Sequence, residues 1–231
     1  MSRALLIAST VALALGAALP AAAADESDNW RLSFGFATDY RSKGTSKTLR
    51  EPYAWISQEW HTDDENYFVS VGSARVQQSF GADIETEVRA GWRPEAAGFS
   101  FDLSGLYRYY PDADKTADRD YWEVTADVSR SVGPVAARLR VQYTPDAAGT
   151  SHAFVYYEAR ASYRLTPKWR ASAAVGRRDT EDSIDYSAWN VGVDYRVDDN
   201  VDLDLRWYDT DADDRGKQYE DALVGAINFT F

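Results

Sequence analysis

Apolar and polar residues alternate along most of the chain after residue 30. Residues 30–40 show the pattern clearly, because Leu32, Phe34 and Phe36 alternate with polar or small residues. Successive side chains of a strand point to opposite faces, so this spacing predicts a strand with one apolar face. Twelve such segments follow one another and helical spacing is nearly absent, which predicts an all-β fold. The segments are residues 30–40, 53–60, 67–75, 84–93, 99–110, 121–130, 135–143, 154–165, 169–176, 189–197, 201–208 and 223–231.

The connections between these segments alternate between short and long. The short ones are residues 61–66, 94–98, 131–134, 166–168 and 198–200. The longer, polar ones are residues 41–52, 76–82, 111–120, 144–152, 177–186 and 209–221. Outer-membrane barrels have an even strand number, short turns at one end and longer loops at the other. A soluble β-sandwich is also compatible with the alternation, but it does not require this asymmetry.

Aromatic residues concentrate near the ends of the predicted strands, whereas Val, Leu, Ala, Gly and Phe fill the middles. Aromatic side chains at both ends of the strands are typical of the two aromatic girdles at the membrane–water interfaces. The pattern therefore predicts a membrane-spanning antiparallel up-and-down β-barrel of about twelve strands. The predicted girdle residues are Trp30, Trp60, Trp92, Trp122, Trp169, Trp189, Trp207, Tyr40, Tyr53, Tyr67, Tyr109, Tyr143 and Tyr195.

The first residues have the features of an export signal. A short basic head precedes an apolar run at residues 4–19, and small residues then lead to Asp25. This arrangement predicts a cleaved signal peptide over residues 1–24 and one barrel domain over residues 25–231. The expected location is the outer membrane of a Gram-negative bacterium.

Composition excludes several classes of function. The chain has no Cys, which excludes a disulfide scaffold and thiolate metal sites. It has 25 Lys plus Arg against 37 Asp plus Glu, and this acidic balance argues against a nucleic-acid partner. No cofactor is expected, since the sequence contains no Gly-rich phosphate loop or His-based metal motif.

The last predicted strand ends on an aromatic residue. Its apolar face carries Ile227 and Phe229, and the chain ends at Phe231. This segment resembles the carboxyl-terminal strand of bacterial outer-membrane barrels, in which the terminal aromatic is part of what the assembly machinery recognises. The resemblance implies that the barrel-assembly machinery is a partner, together with outer-membrane lipid and lipopolysaccharide.

Three internal stretches extend the resemblance to a family. They are TDYRSKGTSK (38–47), IETEVRAGWR (84–93) and RYYPDAD (108–114). They are similar to segments of the TorF-type porins of proteobacteria, a family also called Gcw_chp. The resemblance implies an outer-membrane, porin-like protein, and it supplies no substrate.

In a membrane barrel the apolar face meets lipid, so the polar face lines the lumen. Acidic lumen residues concentrate on the fourth to sixth strands and arginines on the seventh to ninth, which predicts two facing walls of opposite charge. The residues expected to set selectivity are Glu85, Glu87, Asp102, Glu123, Asp127, Arg138, Arg140, Arg160, Arg164 and Arg170. Twelve strands leave a narrow lumen. The predicted function is passive diffusion of small polar or charged solutes; the alternative is a structural barrel plugged by Arg–carboxylate pairs.

Two further function classes are open. A barrel enzyme would need a nucleophile beside a base, but Ser57 and His61 are about 13 Å apart at strand rise. The neighbouring Ser151 and His152 point apart in an extended segment. We therefore expect no enzyme. A loop-mediated binding or adhesion protein is the remaining class. The longest loops of this chain are, however, too short to form a folded extracellular module.

Two loops have distinctive charge patterns. Residues 209–220 place Asp209, Asp211, Asp213 and Glu220 at calcium-loop spacing, but Asp214 occupies the position that needs Gly. This makes the loop a weak calcium candidate, and a solvated acidic loop is the alternative. The first long loop is basic through Arg41, Lys43, Lys47 and Arg50. It could attract anions or contact lipopolysaccharide phosphate, and a solvated charged loop is the alternative.

Overall fold

The computed structural model describes residues 29–77, 80–115, 117–148 and 152–231. The predicted signal peptide and Ser151 lie outside the described residues. In the part of the chain that the structure describes, no helix has the length and hydropathy needed to cross a membrane.

Long strands alternate with turns and loops along the whole described chain. The strands are β1 (Trp30–Ala37), β2 (Arg41–Ser42), β3 (Thr45–Ser46), β4 (Tyr53–His61), β5 (Tyr67–Arg75), β6 (Ile84–Trp92), β7 (Glu95–Ala96), β8 (Phe99–Tyr109), β9 (Asp120–Val132), β10 (Val135–Ala147), β11 (His152–Arg164), β12 (Trp169–Thr180), β13 (Tyr186–Arg196), β14 (Val201–Thr210) and β15 (Ala222–Thr230). A single 3-10 turn, Asp213–Arg215, lies between β14 and β15.

Twelve long strands form a closed antiparallel barrel, which confirms the predicted fold class. Each pairs with its neighbours in the chain, and the ring closes where β1 pairs with β15. The short β7 only extends the edge of β8, while β6 pairs directly with β8 across that turn. Strands β2 and β3 form a separate two-stranded hairpin.

The two ends of the barrel differ as predicted, except at the connections after β10 and β12. Short turns lie at one end, called the turn end, and comprise residues 62–66, 93–98, 133–134, 165–168 and 197–200. The other end, called the loop end, carries the described residues 38–52, 76–77, 80–83, 110–115, 117–119, 148, 181–185 and 211–221. Strands β10 to β13 extend further towards the loop end than the alternation predicted. The connections after β10 and β12 are therefore shorter than expected.

The apolar face of the wall points outward and the polar face points into the lumen. On β10, Leu139 and Val141 are exposed on the outside, whereas Gln142 and Thr144 are buried inside. Exposed aromatic pairs lie on the same outer surface, for example Tyr67 stacked on Trp92 with ring centroids 6.4 Å apart. This is the reverse of a soluble protein, whose apolar face is buried.

Two of the predicted girdle residues lie inside the barrel. Tyr40 and Tyr53 stack on each other there, with ring centroids 4.7 Å apart. The alternation of β1 ends at Ala37, so it does not carry Tyr40 to the outer face. Tyr53 pairs with Ala37, whose side faces inward.

Candidate functional site

The first long loop folds into the lumen instead of projecting from the barrel. This loop, residues 38–52, is called L1. Within it, β2 and β3 pair in a hairpin with Lys43 and Gly44 as its two-residue turn. Both turn residues have positive φ, 53° and 86°. That backbone is the type I′ turn, which matches the right-handed twist of paired strands and favours glycine.

The tip of the hairpin reaches the wall opposite its own strands. The Lys43 Nζ atom lies 2.7 Å from a carboxylate oxygen of Glu123 on β9, and both side chains are nearly fully buried. The Lys43 backbone carbonyl accepts a hydrogen bond of 3.0 Å from the Tyr186 hydroxyl on β13. Gly44 packs so closely on Ala188 that a Cβ atom there would overlap. L1 therefore crosses the lumen.

A buried carboxylate organises the base of L1. Asp39 is 4% exposed and accepts hydrogen bonds from Arg41 Nε at 2.5 Å, Ser46 Oγ at 2.5 Å and Thr48 Oγ1 at 2.9 Å. Arg41 also donates to the Glu220 carbonyl at 2.9 Å. Because one carboxylate collects three donors from L1, the loop has a defined inward conformation.

The three family-like stretches meet at Glu85 on β6. Glu85 is 1% exposed, and its carboxylate lies 2.6 Å from Lys47 Nζ and 3.3 Å from Arg108 Nε. The hydroxyls of Tyr40 and Tyr110 donate to the same carboxylate at 3.1 Å and 2.7 Å. Arg108 also pairs with Glu87. These contacts join L1, β6 and the end of β8 in one polar cluster.

Small apolar clusters fill the loop end around L1. One contains Val76, Ala82, Tyr110 and Ala113. Another contains Tyr186, Ala188, Ala212 and Tyr219, close to the hairpin tip. The part of the lumen nearest the loop end is thus packed with side chains.

The rest of the lumen wall carries local ion pairs. Arg140 pairs with Asp127 at 2.6 Å, and Arg138 pairs with Glu158 at 2.5 Å. Asp102 accepts from Arg89 at 2.8 Å. The predicted arrangement of two opposed walls is therefore wrong in detail, because each of these three carboxylates has an arginine on an adjacent strand.

A cavity of about 890 Å³ opens at the turn end and extends into the lumen. Its lining includes Arg93, Asp102, Asp127 and Arg138. Asp64 stands at its mouth, where hydrogen bonds from Thr62 and Asn66 lower the pKa of Asp64 to about 2. Asp64 thus keeps its negative charge in acidic solution in which an ordinary Asp carboxylate is already partly protonated. The Arg138 guanidinium has one unused hydrogen-bond donor, because its buried Nε makes no hydrogen bond within the described residues.

The predicted selectivity residues occupy three levels of the barrel. Glu85, Glu87 and Glu123 belong to the loop-end cluster beneath L1. Asp102, Asp127, Arg138, Arg140 and Arg160 belong to the ion pairs of the remaining lumen. Arg164 and Arg170 pair in register near the turn end and are exposed, so they lie on the rim.

The calcium candidate is not assembled. Asp211 accepts a hydrogen bond of 2.7 Å from the Ser187 amide, whereas Glu220 pairs with Arg50 at 2.5 Å. The 3-10 turn at Asp213 separates these two positions. No group of three potential metal-ligating side chains occurs among the described residues.

The residues weighed for hydrolysis are also separate. Ser57 and His61 lie on β4, and the His61 ring lies 3.2 Å from the Thr62 carbonyl. His152 lies at the loop end, where its ring nitrogens are 3.3 Å from Asp146 and 3.8 Å from Asp182. The structure gives neither histidine a serine contact among the described residues.

Residues 21–230 match the family described as "Bacterial protein of unknown function (Gcw_chp)". The chain belongs to the Gcw_chp family. A search of curated proteins found no match. Family membership agrees with the resemblance in the three stretches that meet at Glu85, and the family description specifies no activity.

Solved outer-membrane barrels share the fold of this Gcw_chp protein. The KdgM porin in complex with disordered oligogalacturonate aligns with a TM-score of 0.62 and 9% identity, covering 87% of this chain and 99% of that one. The NanC porin aligns with a TM-score of 0.60 and 7% identity, covering 87% and 98%. Omp33 of Acinetobacter baumannii aligns with a TM-score of 0.52 and 11% identity, covering 88% and 98%. At these identities the likeness establishes the fold alone.

The inward position of L1 was missed by the sequence analysis, which expected this basic loop to face anions outside. A local signal was present, because Lys43-Gly44 lies between two short runs that can pair as a type I′ hairpin. The direction of the hairpin had no local signal. It depends on Glu85 and Glu123, which lie 38 and 80 residues further along the chain.

Proposed function

We propose that this protein is a porin-like channel for passive diffusion of small polar or charged solutes across the outer membrane of a Gram-negative bacterium. The observation that carries the proposal is the water-accessible cavity of about 890 Å³, which is lined by both carboxylates and arginines. Charged groups inside a membrane protein are costly unless they face water or one another, so they mark solute pathways.

The outer surface supports the location. Its strands expose Val, Leu and aromatic side chains, including Leu139, Val191 and Trp122. An apolar band of this kind suits the hydrocarbon layer of a bilayer. We assign the loop end to the cell exterior, where its loops meet lipopolysaccharide, and the turn end to the periplasm.

The fold likeness supports the class of function and leaves the solute open. One similar porin was solved with oligogalacturonate, which is a property of that protein. The finer assignment of this chain to the TorF-type porins rests on the three short stretches. We extend to this chain only a path for small polar or charged molecules, because its lumen carries both signs of charge.

A plugged, non-conducting barrel is the second candidate. The buried pairs of Lys43 with Glu123 and Lys47 with Glu85 favour it, because they fix L1 across the loop half of the lumen. We propose no catalytic role for Ser57 or His61. A loop-mediated adhesion function has no observation in its favour.

Conductance of the refolded protein in planar bilayers tests the proposal. We expect discrete current steps, and a reversal potential under a salt gradient that reports the selectivity of the lumen. Arg138→Gln should shift the reversal potential towards cations, because Asp127 and Glu158 then have less positive charge beside them.

Arg177→Gln is the matched control, since Arg177 is half exposed beyond the lumen and pairs with Asp179 at 2.7 Å. It should leave the reversal potential unchanged. Equal shifts in both variants would contradict a selectivity role for the lumen charges. The absence of steps at every voltage and salt concentration would support the plugged barrel instead.

A further inference from the structure

L1 is attached to the barrel in a way that allows it to move as a unit. Its hairpin belongs to a sheet of its own and contributes no strand to the barrel wall. The chain leaves the wall after Ala37 and rejoins it at Tyr53. An outward movement of the hairpin would therefore leave the strand-to-strand hydrogen bonds of the barrel intact. It would break two backbone bonds of L1 to neighbouring loops, from the Ser46 amide to the Gln218 carbonyl and from the Gln77 amide to the Lys47 carbonyl.

We propose that L1 is a movable gate, and that the Lys43–Glu123 and Lys47–Glu85 ion pairs are the latch that holds it closed across the lumen. This inference rests on the proposed channel function. When both pairs separate, the hairpin leaves the lumen and the loop half of the barrel opens to solutes.

The chemistry of the latch suits reversible closure. A buried ion pair costs desolvation energy on both charges, and their attraction offsets this only while both partners are in place. Beside an aqueous lumen, both ions recover their hydration when the pair separates. An apolar plug would instead expose its core to water on opening, so polar contacts lower the cost of release.

The contacts between the hairpin tip and the barrel wall would allow the tip to detach. Besides Glu123, Lys43 meets the Phe154 ring at 5.1 Å and the Tyr186 hydroxyl through its backbone carbonyl. Gly44 presents no side chain to Ala188. The tip thus meets β9 and β11 through the Lys43 side chain, and β13 through the Lys43 carbonyl and through Gly44, which has no side chain to interlock with the wall.

The latch also has a counterpart that serves as a control. Arg50 lies in the same loop and pairs with Glu220 at 2.5 Å, but both side chains are about 40% exposed. An exposed pair contributes little, because water solvates both partners whether or not they meet. Arg50→Glu and Lys43→Glu each reverse one positive charge in L1. Only Lys43→Glu disrupts a buried pair of the latch.

The test compares the full-length mature protein with Lys43→Glu, with the charge-swapped pair Lys43→Glu/Glu123→Lys, and with Arg50→Glu. Lys43→Glu places two carboxylates together, which breaks one of the two pairs and should loosen the tip of L1 while Lys47 still pairs with Glu85. The swapped pair should restore the latch. The gel mobility of unheated samples checks that each variant still forms a closed barrel.

Two measurements are made on each variant. Amide hydrogen exchange reports L1 directly, since the Ser46 amide bonds to the Gln218 carbonyl and the Lys47 amide to the Tyr40 carbonyl. Planar-bilayer conductance reports the lumen. We expect Lys43→Glu to accelerate exchange in L1 roughly tenfold or more and to raise unit conductance, with both effects reversed in the swapped pair and absent in Arg50→Glu.

The outcomes separate the gate from the channel. If L1 in Lys43→Glu exchanges as slowly as in the wild type, the latch is overturned. If L1 exchanges faster while wild type and variant conduct equally, the loop is not a gate, although the channel function stands. If L1 exchanges faster and no variant conducts, the proposed channel function fails and the gate fails with it.

Discussion

Gly44 packs directly against Ala188, so that a Cβ atom on Gly44 would overlap the Cβ atom of Ala188 on β13. This contact fixes how far the L1 hairpin extends into the lumen. Gly44 also has a φ of 86°, a conformation that side chains with a Cβ atom disfavour. Two independent constraints therefore require glycine at the tip.

Gly44→Ala should displace the hairpin tip from β13. The expected result is faster amide exchange across L1 and a loss of unfolding free energy beyond the roughly 1 kcal/mol that backbone strain alone costs. Gly133→Ala is the control, because Gly133 has a φ of 59° but nothing within 4 Å of an added Cβ atom. Adding Ala188→Gly to Gly44→Ala should recover part of the loss, and no recovery would contradict the contact.

Asp39→Ala should destabilise L1 more than a substitution that removes an exposed charge, such as Glu220→Ala. Without Asp39, the Arg41 guanidinium, whose side chain is only 1% exposed, lacks its carboxylate partner. Breaking a buried pair from one side costs roughly 3–5 kcal/mol. Chemical unfolding in detergent measures this cost, and Glu220→Ala, which breaks an exposed pair of the same loop, should lose less than about 1 kcal/mol. Equal losses would show that Asp39 does not organise L1.

Leu139→Arg should destabilise the barrel in a bilayer because it places a charge on the outer face. Leu139 lies in β10 and is 60% exposed. A charge on the lipid face near the bilayer centre costs roughly 2–4 kcal/mol. Ala136→Arg, on the lumen side of the same strand, should cost much less, as judged by unfolding from liposomes. A larger loss for Ala136→Arg would reverse the assignment of the two faces.

Substitutions at Phe229 and Phe231 should differ in their effects. Loss of Phe229 should mainly lower the stability of the barrel in detergent, and loss of Phe231 should mainly reduce assembly in the cell. Phe229 stacks on Phe34 across the closing strands with ring centroids 4.9 Å apart. Phe231 stacks on the same Phe34 ring at 6.1 Å but is 60% exposed. Phe229→Ala should lower stability by about 1 kcal/mol or more through the lost ring pair. Phe231→Ala should lower stability less than Phe229→Ala, because its ring lies farther from Phe34, and it should reduce the amount of barrel in the outer membrane. Unchanged amounts would remove Phe231 from the proposed assembly signal.

The barrel wall was predictable because alternation is a local property of the chain. Residues such as Leu139 and Gln142 reveal their faces through their neighbours alone, and the lengths of the connections indicate the even strand count. Most of the charged residues that line the lumen follow from the same alternation.

The position of L1 could be decided only by the tertiary structure. Its residues are polar, and polar residues suit either a solvated loop or a water-filled lumen. Lys43 lies inside because Glu123, 80 residues away, stands opposite it, and because Gly44 leaves room beside Ala188. The lumen ion pairs also depend on the tertiary structure, because Asp102, Asp127 and Glu158 pair with arginines of adjacent strands. Alternation assigns a side chain to a face, whereas its partner depends on which strands become neighbours when the barrel closes.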